Sequence, residues 1–439
     1  FSVSGDTRIF TRYGYESIGD LRHMAQGRLR HCIHGGTVAE FPFRSRVATA
    51  GGLSAPSALV AEGYRSLLEI TTNNGLKAKV TPEHQLLSVK GCQEHWVKAR
   101  DLQIGDWVVI RTPHRVWPKN FVELEKPKLK TIPPGGFRRK SEKVPRVLDE
   151  DTAWLTGYLI GDGCLPSDGR PAVHLCVTDE LSPRLRQTVQ EKFGIPLKIK
   201  PHSLTSRIKH GWIGSQAAYE FFVQSLGVNP RDKLHVPEAV VRSPKAVIKA
   251  FLRGLWAADG YVKGRVNYLT TISSSLARDV ADLILMLGSL PYIHAAKRES
   301  TKCGKIYRVG YVRQDRIPTE KALYQSSKSG RWHWRTPRQP KCFLGVRRST
   351  LERSGLHHPL NKPGYYYLRV ASIKPLKPEP VYDLKVPDEE CFVGNGFIFH
   401  NCGGRSSPML RRVRLRPTES VIAEMRHMFE TGRGAHESH

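Results

Sequence analysis

The sequence predicts a multidomain chain: an all-β domain split by an α/β domain made of two pseudo-repeats, with a short tail. Three observations predict it. Strand-like alternation fills the first segment and resumes at Tyr365-Tyr366-Tyr367-Leu368-Arg369-Val370, near the other end. From about Trp117 the composition becomes linker-like, with Lys126-Pro127-Lys128 and Pro133-Pro134-Gly135-Gly136. Beyond that stretch the pattern L-x-G-x-x-x-x-D-G occurs twice, ending at Asp162-Gly163 and Asp259-Gly260.

Charge narrows the partners. The chain has 439 residues and a formal net charge of +29, which favours nucleic acid through phosphate neutralisation. No apolar run approaches a membrane span, and no secretory signal opens the chain. Eight scattered cysteines without CxxC spacing are expected as reduced thiols in a cytoplasm. Because the chain starts at Phe1 rather than Met, it reads as an excerpt of a longer open reading frame.

In order, Ser2 to Gly14 reads as strand, Gly-Asp turn and strand. Ser66 to Thr72 and Lys77 to Val80 alternate about Asn73-Asn74-Gly75, a strong hairpin signal. Thr81-Pro82-Glu83-His84 follows. At the far end, Phe397 to Phe399 reads as a short buried strand leading into His400-Asn401-Cys402. An Asn side-chain amide can attack its own backbone carbonyl and break the peptide bond after it. That reaction becomes useful beside an imidazole that donates a proton and a following nucleophile.

These blocks resemble an intein, a self-splicing Hint fold. Ser2-Val3-Ser4-Gly5-Asp6-Thr7 matches the family's opening block, and Gly75 with Thr81-x-x-His84 its second. Val381-Tyr382-Asp383-Leu384 with Phe392 to Asn401 matches the closing block. The resemblance implies that Ser2 attacks the Phe1 carbonyl, with Thr81 and His84 straining the amide and protonating the departing amine. Cys402 then takes the acyl group, Asn401 cyclises with help from His400, and Asp383 belongs to the catalytic set. Splicing needs no cofactor. Where many inteins carry a His before the Phe matching Phe392, this chain has Glu389-Glu390-Cys391.

The duplicated pattern resembles the LAGLIDADG (dodecapeptide, DOD-type) homing endonucleases. Gly157 and Gly161, with Gly254 and Ala258, would let two helices cross with backbones nearly touching. Each would end at an Asp-Gly whose Gly can take the left-handed cap conformation. Asp162 and Asp259 then lie side by side, the implied ligands for Mg²⁺, which activates water against DNA phosphates. Lys233 matches a lysine block these endonucleases carry between their helices, implying a catalytic helper. Strand-rich units after each helix would form a saddle on double-stranded DNA at the insertion site, in a pseudo-dimeric monomer. Candidates for its basic floor are Lys198, Lys200, Arg207, Lys209, Arg265, Lys297, Arg298, Lys305, Arg308 and Arg313.

The expected division is residue 1, a remnant of the preceding host segment; 2–116, Hint, N-terminal part; and 117–147, linker. Then come 148–325, endonuclease; 326–364, basic linker; 365–401, Hint, C-terminal part; and 402–439, host fragment. The host fragment resembles radical SAM enzymes of the cobalamin-associated type, with Phe1 and Cys402 brought together at the end of a CxxxCxΦC loop. That implies a [4Fe–4S] cluster and S-adenosylmethionine in the spliced host, with Cys402 as an iron ligand. A free-standing DNA-binding or homing protein with a degenerate Hint shell is the rival reading. It does not require the junction residues Ser2, His400, Asn401 and Cys402. A hedgehog-type autoprocessing domain needs neither Asn401 nor Cys402.

Overall fold

The structure is a computed structural model that describes residues 2–401, apart from 13, 22–29, 32–36, 41–45, 91, 114–116, 130–142, 168–170, 202–208, 264–265, 298–303, 313–315, 320–322, 327–331, 336–343 and 348–359. Phe1, Arg207, Arg265, Arg298, Arg313, Cys402 and the tail 402–439 lie outside the described residues.

Both ends of the described residues enter one extended antiparallel sheet. The strand Val3–Ser4 is inserted between Lys77–Val80 and the long strand Tyr365–Lys385. Trp107–Arg111 pairs with the start of that long strand in the register Trp107↔Arg369 to Arg111↔Tyr365. Residues 112–364 therefore leave and re-enter the sheet across one cross-strand step, where the Thr112 N–H donates to the Gly364 carbonyl at 2.8 Å. Phe397–His400 pairs with Cys391–Gly394 and bridges to Gln85–Lys90 and Trp107–Arg111. The run expected to be a buried strand is one: Phe397, Ile398 and Phe399 are at most 1% exposed. Asn73-Asn74-Gly75 turns between paired strands, with Gly75 at φ +80°.

The central part has four longer helices: α1 (Glu150–Asp162), α2 (Ser182–Phe193), α3 (Lys245–Asp259) and α4 (Ser274–Met286). Two strands follow each of them. After α1 and α2 the strands assemble into one four-stranded sheet, and after α3 and α4 into another. Both sheets have the same strand order, first, second, fourth, third. Asp149 caps α1 by accepting the Thr152 N–H at 2.9 Å, and Ser273 caps α4 by accepting the Leu276 N–H at 3.1 Å.

α1 and α3 cross with their backbones almost in contact, and glycine permits it. A Cβ on Gly157 would stand 2.1 Å from the Phe251 carbonyl oxygen, and one on Gly254 would stand 1.9 Å from that of Trp154. The left-handed caps expected after the two aspartates are not found. Gly163 has φ −100° and Gly260 φ −82°, both extended. Glycine is needed there because a Cβ would overlap the carbonyl four residues back, at 2.6 Å from Leu159 and 2.3 Å from Trp256. Each chain leaves its helix directly into a strand, so the sterics differ from those of a helix-ending turn.

Neither expected linker is a bare tether. Val122–Glu123 pairs with Val147–Leu148, and the Ser225 hydroxyl donates to the Glu125 carbonyl at 2.6 Å. The described part of 117–147 thus packs on the central part. Within 326–364, Trp332–Arg335 pairs with Leu323–Ser326 and Leu344–Arg347 with Arg316–Thr319. Alternating aromatic and β-branched residues favour a ladder there over an extended connection.

Candidate functional site

Ser2 is completely buried, and its backbone is clamped by Thr81. The Ser2 N–H donates to Thr81 Oγ1 at 2.9 Å, and the Thr81 N–H donates to the Ser2 carbonyl at 2.9 Å. The Thr81 hydroxyl donates in turn to the same carbonyl at 3.3 Å. The hydrogen-bonding group this leaves open is the side chain: Ser2 Oγ has no hydrogen-bond partner among the described residues. His84 is fully buried on the same turn, its N–H donating to the Thr81 carbonyl at 3.0 Å. Its ring packs edge-on against Phe399 at 5.4 Å and tilted against Phe392 at 6.3 Å. One turn therefore holds the opening residues and touches the closing hairpin.

At the other end, Asn401 is 4% exposed. Its amide nitrogen Nδ2 donates to the Val386 carbonyl at 2.8 Å, and its N–H donates to the Glu390 carbonyl at 2.9 Å. His400 Nδ1 lies 2.6 Å from the Asn401 carbonyl oxygen. A carbonyl can only accept, so this contact calls for a proton on Nδ1. The imidazole thus polarises the carbonyl that a cyclising Asn401 would attack, while Trp96 packs edge-on against its ring at 4.8 Å. Asp383 is 2% exposed and follows Tyr382, which pairs with Val3. In the stretch that lacks a histidine, burial pushes the Cys391 thiol up to about 11, against the Ala50 N–H that donates to its Sγ at 3.4 Å.

A second constellation lies at the foot of the crossed helices. Asp259 Oδ2 faces Gly161 across the crossing, 3.5 Å from where a Cβ would be. Burial first and Asp259 second push the Asp162 carboxyl up to about 6, against the pull of Lys233. Burial also raises the Asp259 carboxyl, again against Lys233. Two carboxylates that resist ionisation together suit a divalent cation, which would restore both charges. Among the described residues no group of three or more His, Cys, Asp or Glu side chains forms a cation cage. A cation here would take these two carboxylates and complete its shell with oxygens from backbone, water or phosphate.

Lys233 does more than the sequence indicated. Its Nζ donates to the carbonyls of Leu159, Ile160 and Gly161 at 3.1, 2.6 and 2.8 Å. All three ammonium protons are used on the C-terminal carbonyls of α1, where a positive charge also meets the negative end of the helix dipole. Burial lowers its pKa, and Asp259 and Asp162 oppose that.

The described basic candidates lie on the two four-stranded sheets. Lys198 and Lys200 lie 5.9 and 5.5 Å from the Trp212 ring, and Arg308 lies 5.2 Å from that of Tyr268. Lys297 and Lys305 pair across adjacent strands, whereas Lys209 is engaged by Asp179. The sequence reading missed Arg8, Arg278 and Asn395. The available signal was Asn395-Gly396, an Asn-Gly between apolar runs, which forms a tight turn with φ +52° and +85°.

Fold and site together define a β-domain in which a serine at one end of the chain and an asparagine near the other are buried in one sheet. A family model described as an intein splicing domain matches residues 50–401. The chain belongs to that family. It is 32% identical over 324 residues to an A-type ATP synthase protein of Pyrococcus abyssi, covering 70% of this chain and 30% of that protein. It is 26% identical over 226 residues to the replication factor C small subunit of Methanocaldococcus jannaschii, covering 51% and 11%. The chain thus spans less than a third of the length of both relatives. Among solved structures it is similar to the transcription factor IIB Mvu mini-intein, with TM-score 0.23 and 20% identity, covering 25% of this chain and 70% of that one. It is also similar to I-DmoI in complex with DNA and Mn, with TM-score 0.29 and 18% identity, covering 37% and 90%. No helix of the described residues is long and apolar enough to cross a membrane.

Proposed function

We propose that this chain excises its own residues 2–401 and joins Phe1 to Cys402. Ser2 Oγ attacks the Phe1 carbonyl carbon, forming an ester as the Phe1–Ser2 amide breaks and the Ser2 amine takes up a proton. The Cys402 thiolate displaces Ser2 from the ester. Asn401 Nδ2 then attacks its own carbonyl carbon, which His400 polarises, and the Asn401–Cys402 bond breaks. The freed Cys402 amine attacks the new thioester and leaves a normal peptide bond. The observation that carries this reading is a buried Ser2 whose backbone Thr81 clamps and whose hydroxyl has no hydrogen-bond partner among the described residues, together with an Asn401 carbonyl contacted by His400. Residues 1–439 expressed behind a folded N-terminal tag should give, by mass spectrometry, a ligated tag–Phe1–Cys402 product and free 2–401. A precursor that stays intact rejects the reading.

We further propose that residues 148–325 form a LAGLIDADG homing endonuclease that cuts both strands of DNA at the uninterrupted insertion site. Asp162 and Asp259 would hold Mg²⁺, which when bound activates water and stabilises the charge of the phosphate under attack. Lys233 orients the end of α1 that carries Asp162, and the basic sheets neutralise phosphates. The raised Asp162 pKa supplies a readout that needs no DNA. Its folded value, about 6, exceeds the usual 3.8, so the metal-free fold holds the proton more tightly than the unfolded chain does. That preference stabilises the fold below pH 3.8 and is lost as pH rises towards 6. At pH 7.5, Asp162→Asn should therefore raise the melting temperature of the metal-free protein, while the further rise that Mg²⁺ gives the wild type should shrink. The same variant should abolish DNA cleavage and leave splicing intact. An equal response to Mg²⁺ in both proteins would reject the metal assignment.

For the host, we propose the radical SAM reading, with Cys402 as an iron ligand once splicing has joined it to Phe1. It rests on sequence alone. The gene just upstream should encode C-x-x-x-C-x immediately before Phe1, and its absence would end the idea.

A further inference from the structure

The splicing sheet touches the central part through its turns. Three of them, Asp6 to Arg8, Asn73 to Gly75 and Asn395-Gly396, rest on α4 and the strand Leu290–Lys297 that follows it. The Ile293 N–H donates to the Asn74 carbonyl at 2.8 Å, and Gly75 lies so close to Ile293 that a Cβ would fall 1.9 Å from its carbonyl oxygen. Arg8, at 16% side-chain exposure, places its guanidinium between Asp279 and Asp282 of α4, at 2.5 and 2.6 Å.

One side chain of α4 reaches both reaction-bearing turns at once. Arg278 Nη1 contacts the Asp6 carboxylate at 3.2 Å, and Nη2 donates to the Asp6 carbonyl and to Asn395 Oδ1, the latter at 2.9 Å. Asn395 Oδ1 also accepts the Arg8 N–H at 2.8 Å, and its Nδ2 donates to the Lys77 carbonyl at 3.0 Å. Asp6 accepts the Ser4 hydroxyl at 2.5 Å, two residues from Ser2. Burial raises the Asp6 pKa, but the Ser4 hydroxyl, Arg278 and Lys79 outweigh it, so the carboxyl lies below its usual range and remains charged.

We infer that Arg278, carried by the inserted unit, is a positioning residue for splicing: its guanidinium ties the turn beside Ser2 to the turn that leads to Asn401. A planar fork suits this task. It serves a carboxylate, a backbone carbonyl and an amide oxygen from one rigid group, which a lysine ammonium on a flexible stem cannot do as well. The inserted unit is then part of the splicing apparatus as well as its cargo. The inference rests on the proposal that Ser2 and Asn401 splice the chain.

The test uses the tagged full-length precursor and follows two steps separately, ester formation at Ser2 by hydroxylamine cleavage and C-terminal release at Asn401. Arg278 keeps 30% of its side chain exposed, so truncation leaves the core closed. Arg278→Ala, which removes all three contacts of the guanidinium, should slow both steps by about tenfold or more. Arg278→Lys should fall between alanine and wild type, with all three melting temperatures alike. Asp6→Asn should slow splicing too, and the double variant should be no slower than the worse single one. If Arg278→Ala lowers the melting temperature, this cycle decides: additive rate losses overturn the inference and non-additive ones support it. Wild-type rates in Arg278→Ala overturn it while the splicing proposal stands, whereas a wild-type precursor that does not splice rejects that underlying proposal.

Discussion

Ser2→Ala should yield no ligated product and no ester trapped by hydroxylamine, while folding as the wild type does. Alanine retains the backbone contacts to Thr81, because these involve the Ser2 N–H and carbonyl only. The atom removed is a hydroxyl oxygen with no hydrogen-bond partner among the described residues in a fully buried position. Deleting a buried, unsatisfied polar atom leaves stability nearly unchanged or improves it. The loss is therefore chemical, on the order of 10⁶-fold for removal of a nucleophile. Asn401→Ala gives a different species. The N-terminal step should still proceed, C-terminal cleavage should stop, and branched precursor should accumulate. Intact-mass measurement separates the two outcomes. Ligation by Ser2→Ala would reject Ser2 as nucleophile, and C-terminal release by Asn401→Ala would reject cyclisation.

Gly254→Ala is expected to separate α1 from α3 and dismantle the paired aspartates. The new methyl would fall 1.9 Å from the Trp154 carbonyl and 3.0 Å from the Tyr158 amide nitrogen, backbone atoms that no rotamer change can move. Relief requires translating one helix against the other, and both helices bury their contact faces. Overpacking at such a backbone crossing costs on the order of 3 kcal/mol or more. Thermal melting should show a large drop, and DNA cleavage should disappear with it. Gly214→Ala is the matched control, since its Cβ would meet only the Trp212 ring at 3.8 Å. Equal melting temperatures for the two variants would mean that the helices do not depend on that close approach.

The sequence was most legible where spacing carries steric meaning. The doubled Gly spacing indicated a close helix crossing, and Gly157 and Gly254 are where the backbones meet. Apolar Phe397 to Phe399 before a polar triplet read as a buried strand, and that strand is fully enclosed. Local chemistry was less reliable at element ends. The expected left-handed caps at Gly163 and Gly260 were wrong, because a chain entering a strand needs extended angles that a single Asp-Gly does not announce. The sequence marked Lys233 as a catalytic helper but did not show what it holds. Its three carbonyl acceptors come from residues more than seventy positions earlier, which no local pattern reports. The same holds for Arg278, whose partners Asp6 and Asn395 are far from it and from each other along the chain.

The pairing of Arg111 with Tyr365 bears on how such a chain could arise. To the sheet, residues 112–364 are a loop whose two ends are neighbours. Closure entropy grows only logarithmically, by about 0.6 kcal/mol for each doubling of loop length. Relative to a tight turn at this place, the whole excursion costs the sheet on the order of 4 kcal/mol. A gene segment encoding a folded unit with adjacent termini could thus enter here in one step without breaking the ladder on either side. Reversing that step recovers the closure entropy but removes the arginine that bridges the reactive turns, so a shortened descendant would need compensating changes near Asp6 and Asn395 to keep its speed.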